Sequence, residues 1–266
     1  MILARGHTGR LASRWVRVDG REMHYRVSLG PPPPDPIPMV FVHGIAAGQY
    51  FQPVAELLAP HHRVYVPDLP GFGGSYRPDE PLSLDLFVRS LSGWLDACKL
   101  RPVHLVGQSL GTNIVVEVAA RDPGAAASVS LQGVLLAPRL RTLAQLAPRW
   151  FLALLQEAMV HPPEVRRGQQ QAPFLRGTPL LRVMMEHRIE YRLPLVRCPS
   201  AVIRGGRDPL SPSDWARRVA ELLPRGRLLK VPETSHTMPG DAPRGFAEAL
   251  HAFVTGVALE SYGRPN

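Results

Sequence analysis

Val103-His104-Leu105-Val106-Gly107-Gln108-Ser109-Leu110-Gly111-Thr112-Asn113 is the stretch on which the reading of this chain turns. An apolar run of buried-strand type covers 103–106, and an apolar helical pattern covers 113–121. Between them stands a serine with glycines two residues away on either side. A strand that turns sharply into a helix at Gly107-Gln108-Ser109-Leu110-Gly111 carries its serine hydroxyl at the tip of the turn, and the glycines let strand and helix approach each other closely. A serine hydroxyl is a weak nucleophile at neutral pH. It needs a base to take its proton, a group to orient that base, and donors for the oxyanion it creates.

The same alternation extends outward from this turn. Short β-branched or apolar runs at 39–42, 63–66, 129–136, 201–204 and 227–231 read as buried strands. Over 82–99, apolar residues at Leu84, Phe87, Val88, Leu91 and Leu95 repeat at the spacing of a helix with one buried face, and 214–223 and 243–254 read similarly. At the start, 15–18 and 22–27 flank Asp19-Gly20, a two-residue hairpin signal, and the prolines at 31–34, 36 and 38 follow as an extended connection. The fold class is therefore α/β, a mostly parallel sheet with helices on both faces after an antiparallel start. One segment departs from the alternation. Residues 138–194 contain amphipathic pieces at 140–146, 150–159 and 180–190 and no strand pattern, so they read as a helical cap inserted into a core of 1–137 and 195–266.

These motifs in this order resemble the α/β-hydrolase family, and the similarity runs from about residue 16 to 254. The resemblance implies a mostly parallel eight-stranded sheet and a triad in the chain order serine, acid, histidine. Ser109 takes the first place. Asp208, in Ile203-Arg204-Gly205-Gly206-Arg207-Asp208-Pro209, follows a strand where the family places its acid. His236, in Val231-Pro232-Glu233-Thr234-Ser235-His236, follows the last strand where the family places its base. Asp214 is the rival acid, although it reads better as the start of a helix. His43-Gly44-Ile45 is similar to the family's His-Gly-X turn, which implies an oxyanion hole made by the backbone N–H groups of Ile45 and Leu110 and a bracing role for His43. The loop Pro67-Asp68-Leu69-Pro70-Gly71-Phe72-Gly73-Gly74-Ser75 also matches the family. It lacks the Gly-Lys-Ser of a phosphate cradle and reads as a tight structural loop.

Composition narrows the function. Hydrophobic residues make up 45% and charged residues 20%, enough apolar material for a sizeable core. The net charge of +9 comes from 29 arginines and only two lysines, Lys99 and Lys230. They are spread along the chain without runs longer than a doublet, so no nucleic-acid partner is expected. The cap holds nine of these arginines against four glutamates. Cys98 and Cys198 lack metal-ligand spacing, and neither a metal nor a cofactor is expected. Without an apolar leader or a stretch of about 20 apolar residues, no stable membrane insertion is expected and the location read is cytoplasmic. A small-molecule substrate is the expected partner, and a homodimer is left open.

The expected activity is hydrolysis of a carboxylic ester through an acyl-enzyme. Trp150, Phe151 and Met184 are candidate substrate contacts, with Leu154, Leu155, Met159 and Met185 completing an apolar ceiling for a small or medium, partly apolar substrate. The cap arginines suit an anionic substrate instead. Carbon–carbon hydrolysis of vinylogous diketone acids is an alternative, although those enzymes often carry Trp after the histidine where Thr237 stands here. Acyl transfer and a non-catalytic receptor complete the alternatives. Haloalkane dehalogenases and epoxide hydrolases of this fold use an aspartate nucleophile, which Ser109 disfavours.

Overall fold

The computed structural model describes residues 10–31, 33–45, 48–160 and 177–262. Eight strands form one sheet in the order β1-β2-β4-β3-β5-β6-β7-β8. They are β1 (Leu11–Val18), β2 (Arg21–Ser28), β3 (Asp35–Val42), β4 (His62–Pro67), β5 (Val103–Gln108), β6 (Ala126–Gln132), β7 (Ser200–Gly205) and β8 (Gly226–Val231). The hairpin expected at Asp19-Gly20 forms, with both residues at positive φ, and β1 and β2 pair antiparallel from Leu11↔Ser28 to Val18↔Arg21. β2 also meets β4 antiparallel, and every other neighbouring pair is parallel.

Helices α1 (Gln52–Leu58), α2 (Leu84–Ala97), α3 (Leu110–Arg121), α4 (Leu143–Val160), α5 (Gly177–Glu186), α6 (Ser213–Leu222), α7 (Met238–Asp241) and α8 (Pro243–Tyr262) complete the described structure with short 3-10 turns. Two apolar clusters lie on opposite faces of the sheet. One contains Phe87, Leu91, Trp94 and Leu95 of α2 with Leu110, Ile114 and Val115 of α3. The other contains Val54 and Leu58 of α1 with Phe246, Leu250 and Val254 of α8. Burying each such side chain contributes about 1.5–3 kcal/mol. Helix α2 starts where Ser83 caps it, its hydroxyl accepting from the Leu86 N–H at 3.1 Å.

Four local expectations are corrected. The run at 129–136 stops being strand after Gln132, because Gly133 takes a φ of +63° and turns the chain. β3 begins at Asp35 rather than 39, with Pro36 and Pro38 in a stretch where the register with β4 shifts between Asp35 and Met39. The prolines, which cannot donate to a ladder, occupy that irregular stretch. Helix α1, with its Pro53 in the first turn, has no counterpart in the pattern reading. The pieces at 140–146 and 150–159 join as α4, which runs through Pro148. Between β6 and β7 every described regular element is helical. Among the described residues, no helix is long and apolar enough to cross a membrane.

Candidate active site

Ser109 occupies the turn between β5 and α3 with φ 55° and ψ −119°, a backbone conformation that L side chains adopt at a cost of about 1–3 kcal/mol. Its surroundings hold it there. The Ser109 N–H donates to the Gln132 carbonyl at 3.0 Å, while the Ser109 carbonyl accepts from the Thr112 N–H at 3.0 Å and the Thr112 hydroxyl at 2.6 Å. A methyl group on Gly111 would lie 2.1 Å from the Val42 carbonyl oxygen, so only glycine lets α3 start this close to β3. Leu110 is the first residue of α3, and an N–H at that position has no partner within its own helix. The helix dipole adds partial positive charge at the same place.

The turn bearing Ile45 lies directly beside the serine, since a methyl on Gly44 would come within 2.9 Å of the Ser109 Cβ. His43 fixes this turn from both ring nitrogens. Nδ1–H donates to the Gly44 carbonyl at 2.7 Å, and Nε2 accepts from the Leu69 N–H at 3.0 Å. The loop that follows β4 is organised by the buried Asp68, which receives His24 Nδ1 at 2.8 Å and the Gly74 and Gly48 N–H groups at 3.0 and 3.2 Å. Burial would raise the Asp68 carboxyl, but His24 and the other donors outweigh it and hold the group at about 2.

Asp208 and His236 meet across the ends of β7 and β8. Asp208 Oδ2 lies 2.9 Å from His236 Nδ1, and Oδ1 accepts from the Leu210 and Ser211 N–H groups at 2.8 and 3.0 Å. The carboxylate is almost wholly buried. Burial alone would raise its pKa, yet the facing imidazole and the two backbone donors bring it below the ordinary carboxylate value. An ionised carboxylate only accepts, so the ring carries a proton on Nδ1, and in the neutral imidazole this leaves the lone pair on Nε2. Asp214 is half-exposed in the first turn of α6, where Arg139 takes both of its oxygens.

Two residues absent from the sequence reading bring these parts together. Gln132, fully buried, accepts from the Ser109 N–H through its carbonyl and donates from its side-chain amide to the His236 carbonyl at 3.1 Å. Gly133 lies against the ring: a methyl there would sit 2.7 Å from His236 Cε1, 2.9 Å from Nδ1 and 3.4 Å from Asp208 Oδ2. A glycine inside an apolar strand pattern was the available signal, because it marks a bulge or a close backbone approach. The histidine loop is tied down further by Tyr50, whose hydroxyl donates to the Thr237 carbonyl, and by Asp241, which accepts from the Ser235 hydroxyl at 2.5 Å.

The expected substrate contacts divide. Trp150 is half-buried and Met184 almost fully buried, both packed against the larger apolar cluster. Phe151 does not join them. It is 63% exposed, as a surface side chain is, and Leu154 and Leu155 on the same helix are exposed as well. The side chain of Met159 lies outside the described residues, as do Arg166, Arg167 and Arg176. Several of the insertion's other arginines are engaged by protein. Arg141 forms a two-pronged pair with Glu190 at 2.8 and 2.5 Å, Arg192 reaches Glu117 at 2.8 Å, and Arg149 donates to the Pro209 carbonyl at 3.1 Å.

Comparison with known proteins follows the same lines. The profile of the "Alpha/beta hydrolase family" matches residues 39–249. The chain is 28% identical over 248 residues to a protein named putative carbamate hydrolase RutD from Azorhizobium caulinodans, covering 81% of this chain and 90% of that one. It is 28% identical over 259 residues to the pimeloyl-[acyl-carrier protein] methyl ester esterase of Xanthomonas campestris pv. campestris, covering 81% and 94%. Among solved structures, a putative lipase from Acinetobacter baumannii superposes with a TM-score of 0.80 at 18% identity, covering 94% of this chain and 93% of that one. A serine hydrolase involved in carbazole degradation superposes with a TM-score of 0.76 at 21% identity, covering 92% and 99%. At these identities the superpositions speak for the fold.

Proposed function

The chain belongs to the alpha/beta hydrolase family and is an enzyme of the serine hydrolase kind; on that premise we propose that it cleaves a carboxylic ester through an acyl-enzyme, with Ser109, His236 and Asp208 as its triad. One observation carries the reading. A serine in a strained turn at a helix start is tied through Gln132 to a histidine whose Nδ1 faces a buried carboxylate. The relatives named for carbamate and methyl ester cleavage support the class of reaction, attack on an acyl carbonyl.

In this scheme Ser109 Oγ attacks the carbonyl carbon as its proton passes to Nε2 of His236. The carbonyl electron pair moves onto oxygen, which accepts from the Ile45 and Leu110 N–H groups. Asp208 keeps the ring in the Nδ1–H tautomer and stabilises the imidazolium as it forms. Collapse expels the alcohol, which takes the proton back from His236, and leaves an acyl-serine. Water then repeats the sequence and releases the acid. The described parts of the insertion, 138–160 and 177–194, are read as a cap over this site with Trp150 and Met184 on its apolar side, which suits a small or medium, partly apolar acyl or alcohol group.

The test is labelling by a fluorophosphonate together with turnover of a p-nitrophenyl ester series and a vinylogous diketone acid. The expected result is a single adduct on Ser109 and faster turnover of esters than of the diketone. Absence of an adduct sinks the triad, and preference for the diketone replaces the ester as the bond cleaved.

A further inference from the structure

The short loop that carries Asp208 is held from outside by side chains of two different elements. From β7, Arg204 donates from Nε to the Ser211 carbonyl at 2.7 Å, and from its two terminal nitrogens to the Gly206 and Asp208 carbonyls at 3.1 and 3.3 Å. From α4, Gln156 donates to the Arg207 carbonyl at 3.3 Å and Arg149 to the Pro209 carbonyl at 3.1 Å. The carbonyls of residues 206 to 209 are thus each taken by a side chain, two of them from the inserted helix.

The Arg149 contact has a direct line to the carboxylate. The Pro209 carbonyl and the Leu210 N–H belong to one peptide group, which is planar, so the two bonds point to opposite sides of a single rigid unit. Arg149 holds the carbonyl end of that unit, and its N–H end donates to Asp208 Oδ1 at 2.8 Å. Rotation of this peptide away from Arg149 withdraws one of the two backbone donors that keep Asp208 ionised and aimed at His236. A guanidinium bonded to one end also polarises the peptide, which strengthens donation from the other.

We propose that Arg149 is a positioning residue for the catalytic acid, so that the inserted helix α4 sets the geometry of the Asp208–His236 pair as well as covering the site. The inference rests on the triad reading above. It makes the seating of α4 part of the chemical step: kcat, more than KM, follows the hold of α4 on the acid loop.

The experiment is a double-mutant cycle between Arg149→Met, which keeps most of the apolar stem, and Asp208→Asn, read as kcat on a p-nitrophenyl ester. In the wild-type background Arg149→Met is expected to lower kcat about tenfold with KM changed less than about twofold. In the Asp208→Asn background the same change is expected to cost less than about twofold, because the group it positions no longer acts. Arg139→Met, which frees the insertion from Asp214 without touching the acid loop, is expected to leave kcat within about twofold of wild type. An equal loss in both backgrounds, or no loss in either, overturns the proposal. A wild-type kcat for Asp208→Asn overturns the triad and the proposal together, which separates that failure from the first. If Arg149→Met does not fold, Arg149→Gln, which stays polar but is too short to reproduce the guanidinium's reach to the Pro209 carbonyl, is read instead by the low-field proton resonance of His236 Nδ1–H. A resonance that moves marks the predicted change in the Asp208–His236 bond, and one identical to wild type overturns the proposal.

Discussion

The two ends of the parallel strands carry the same residue types and do different things with them. At the C-terminal ends stand Ser109, Asp208 and His236. At the N-terminal ends Ser128 of β6 lies 2.8 Å from His104 Nδ1, and His104 Nε2 lies 3.5 Å from Asp35 Oδ2. His62 Nδ1 reaches the same carboxylate oxygen at 3.2 Å, and its Nε2 meets His251 Nδ1 of α8 at 2.9 Å. Both ends therefore hold a serine, a histidine and an aspartate. The difference lies in the backbone. Ser128 sits within β6 and its residue pairs with His104 in the β5–β6 ladder, so no helix start or sharp turn presents its hydroxyl or places N–H donors around it. Ser109 stands where a strand becomes a helix, with a strained φ. A nucleophile is made by the turn that presents it, and the side-chain inventory alone describes both ends equally well.

Removing each serine is the severest way to break this comparison. Ser109→Ala is expected to lower kcat/KM for an ester by about 10,000-fold or more. Ser128→Ala is expected to leave kcat/KM within about twofold while costing about 1–2 kcal/mol of stability through the lost hydrogen bond to a buried imidazole. Ester kinetics beside urea denaturation of both variants decides it. Comparable losses of activity would mean that the far end takes part in the chemistry.

Gly133→Ala sharpens the same contrast with a smaller change. The residue has φ +63°, and an added methyl would lie 2.7 Å from His236 Cε1. The ring has to move, and Asp208 Oδ2 at 3.4 Å from the same methyl leaves it little room on that side. A displacement of the base by a fraction of an ångström is expected to lower kcat about 10- to 100-fold. Steady-state kinetics on purified Gly133→Ala is the measurement, and wild-type kcat would show that the imidazole position is less constrained than its contacts imply.

Legibility in the sequence follows the same division. The Ser109 turn could be read because its glycines, preceding strand and following helix all lie within a dozen residues, and the β1–β2 hairpin because Asp19-Gly20 is local chemistry. Asp208 and His236 were reached through their places after strands and a family resemblance. Gln132 and Gly133 were passed over because an apolar run reads as strand until something turns it, and what needs the turn is an imidazole about 100 residues further on. Helical spacing shows that a side of α4 has apolar residues, Phe151 among them, without showing what covers it. The cluster around Asp35 was invisible for a further reason. His62, His104 and His251 come from three separate elements, β4, β5 and α8, with nothing in their local sequence to bring them together.

That cluster gives the mildest test, one in which the far end is expected to titrate in stability while the serine end responds in rate. Burial lowers the pKa of His61 and His251 from the ordinary 6.5, and the charge of His62 lowers both further. The folded protein therefore holds these rings neutral where the unfolded chain has them protonated. Their contribution is fully present above about pH 6.5 and is lost as pH falls below it. Asp35 acts in the next window. Burial would raise its carboxyl, but His104, His62 and the Ile37 N–H hold it well below the ordinary 3.8, so its contribution persists until the pH falls beneath that value. Urea midpoints of the wild type are expected to decline as the pH falls below about 6.5 and again below about pH 4. His251→Gln keeps an amide that can donate to His62 Nε2 and has nothing to protonate, so its upper decline should flatten while the lower one remains. The pH profile of kcat/KM in this variant, measured where it is folded, should match wild type, because the ring removed lies at the opposite end of the strands from Ser109. An upper decline as steep as that of the wild type would assign it to other groups, and a shifted rate profile would tie the two ends of the sheet together.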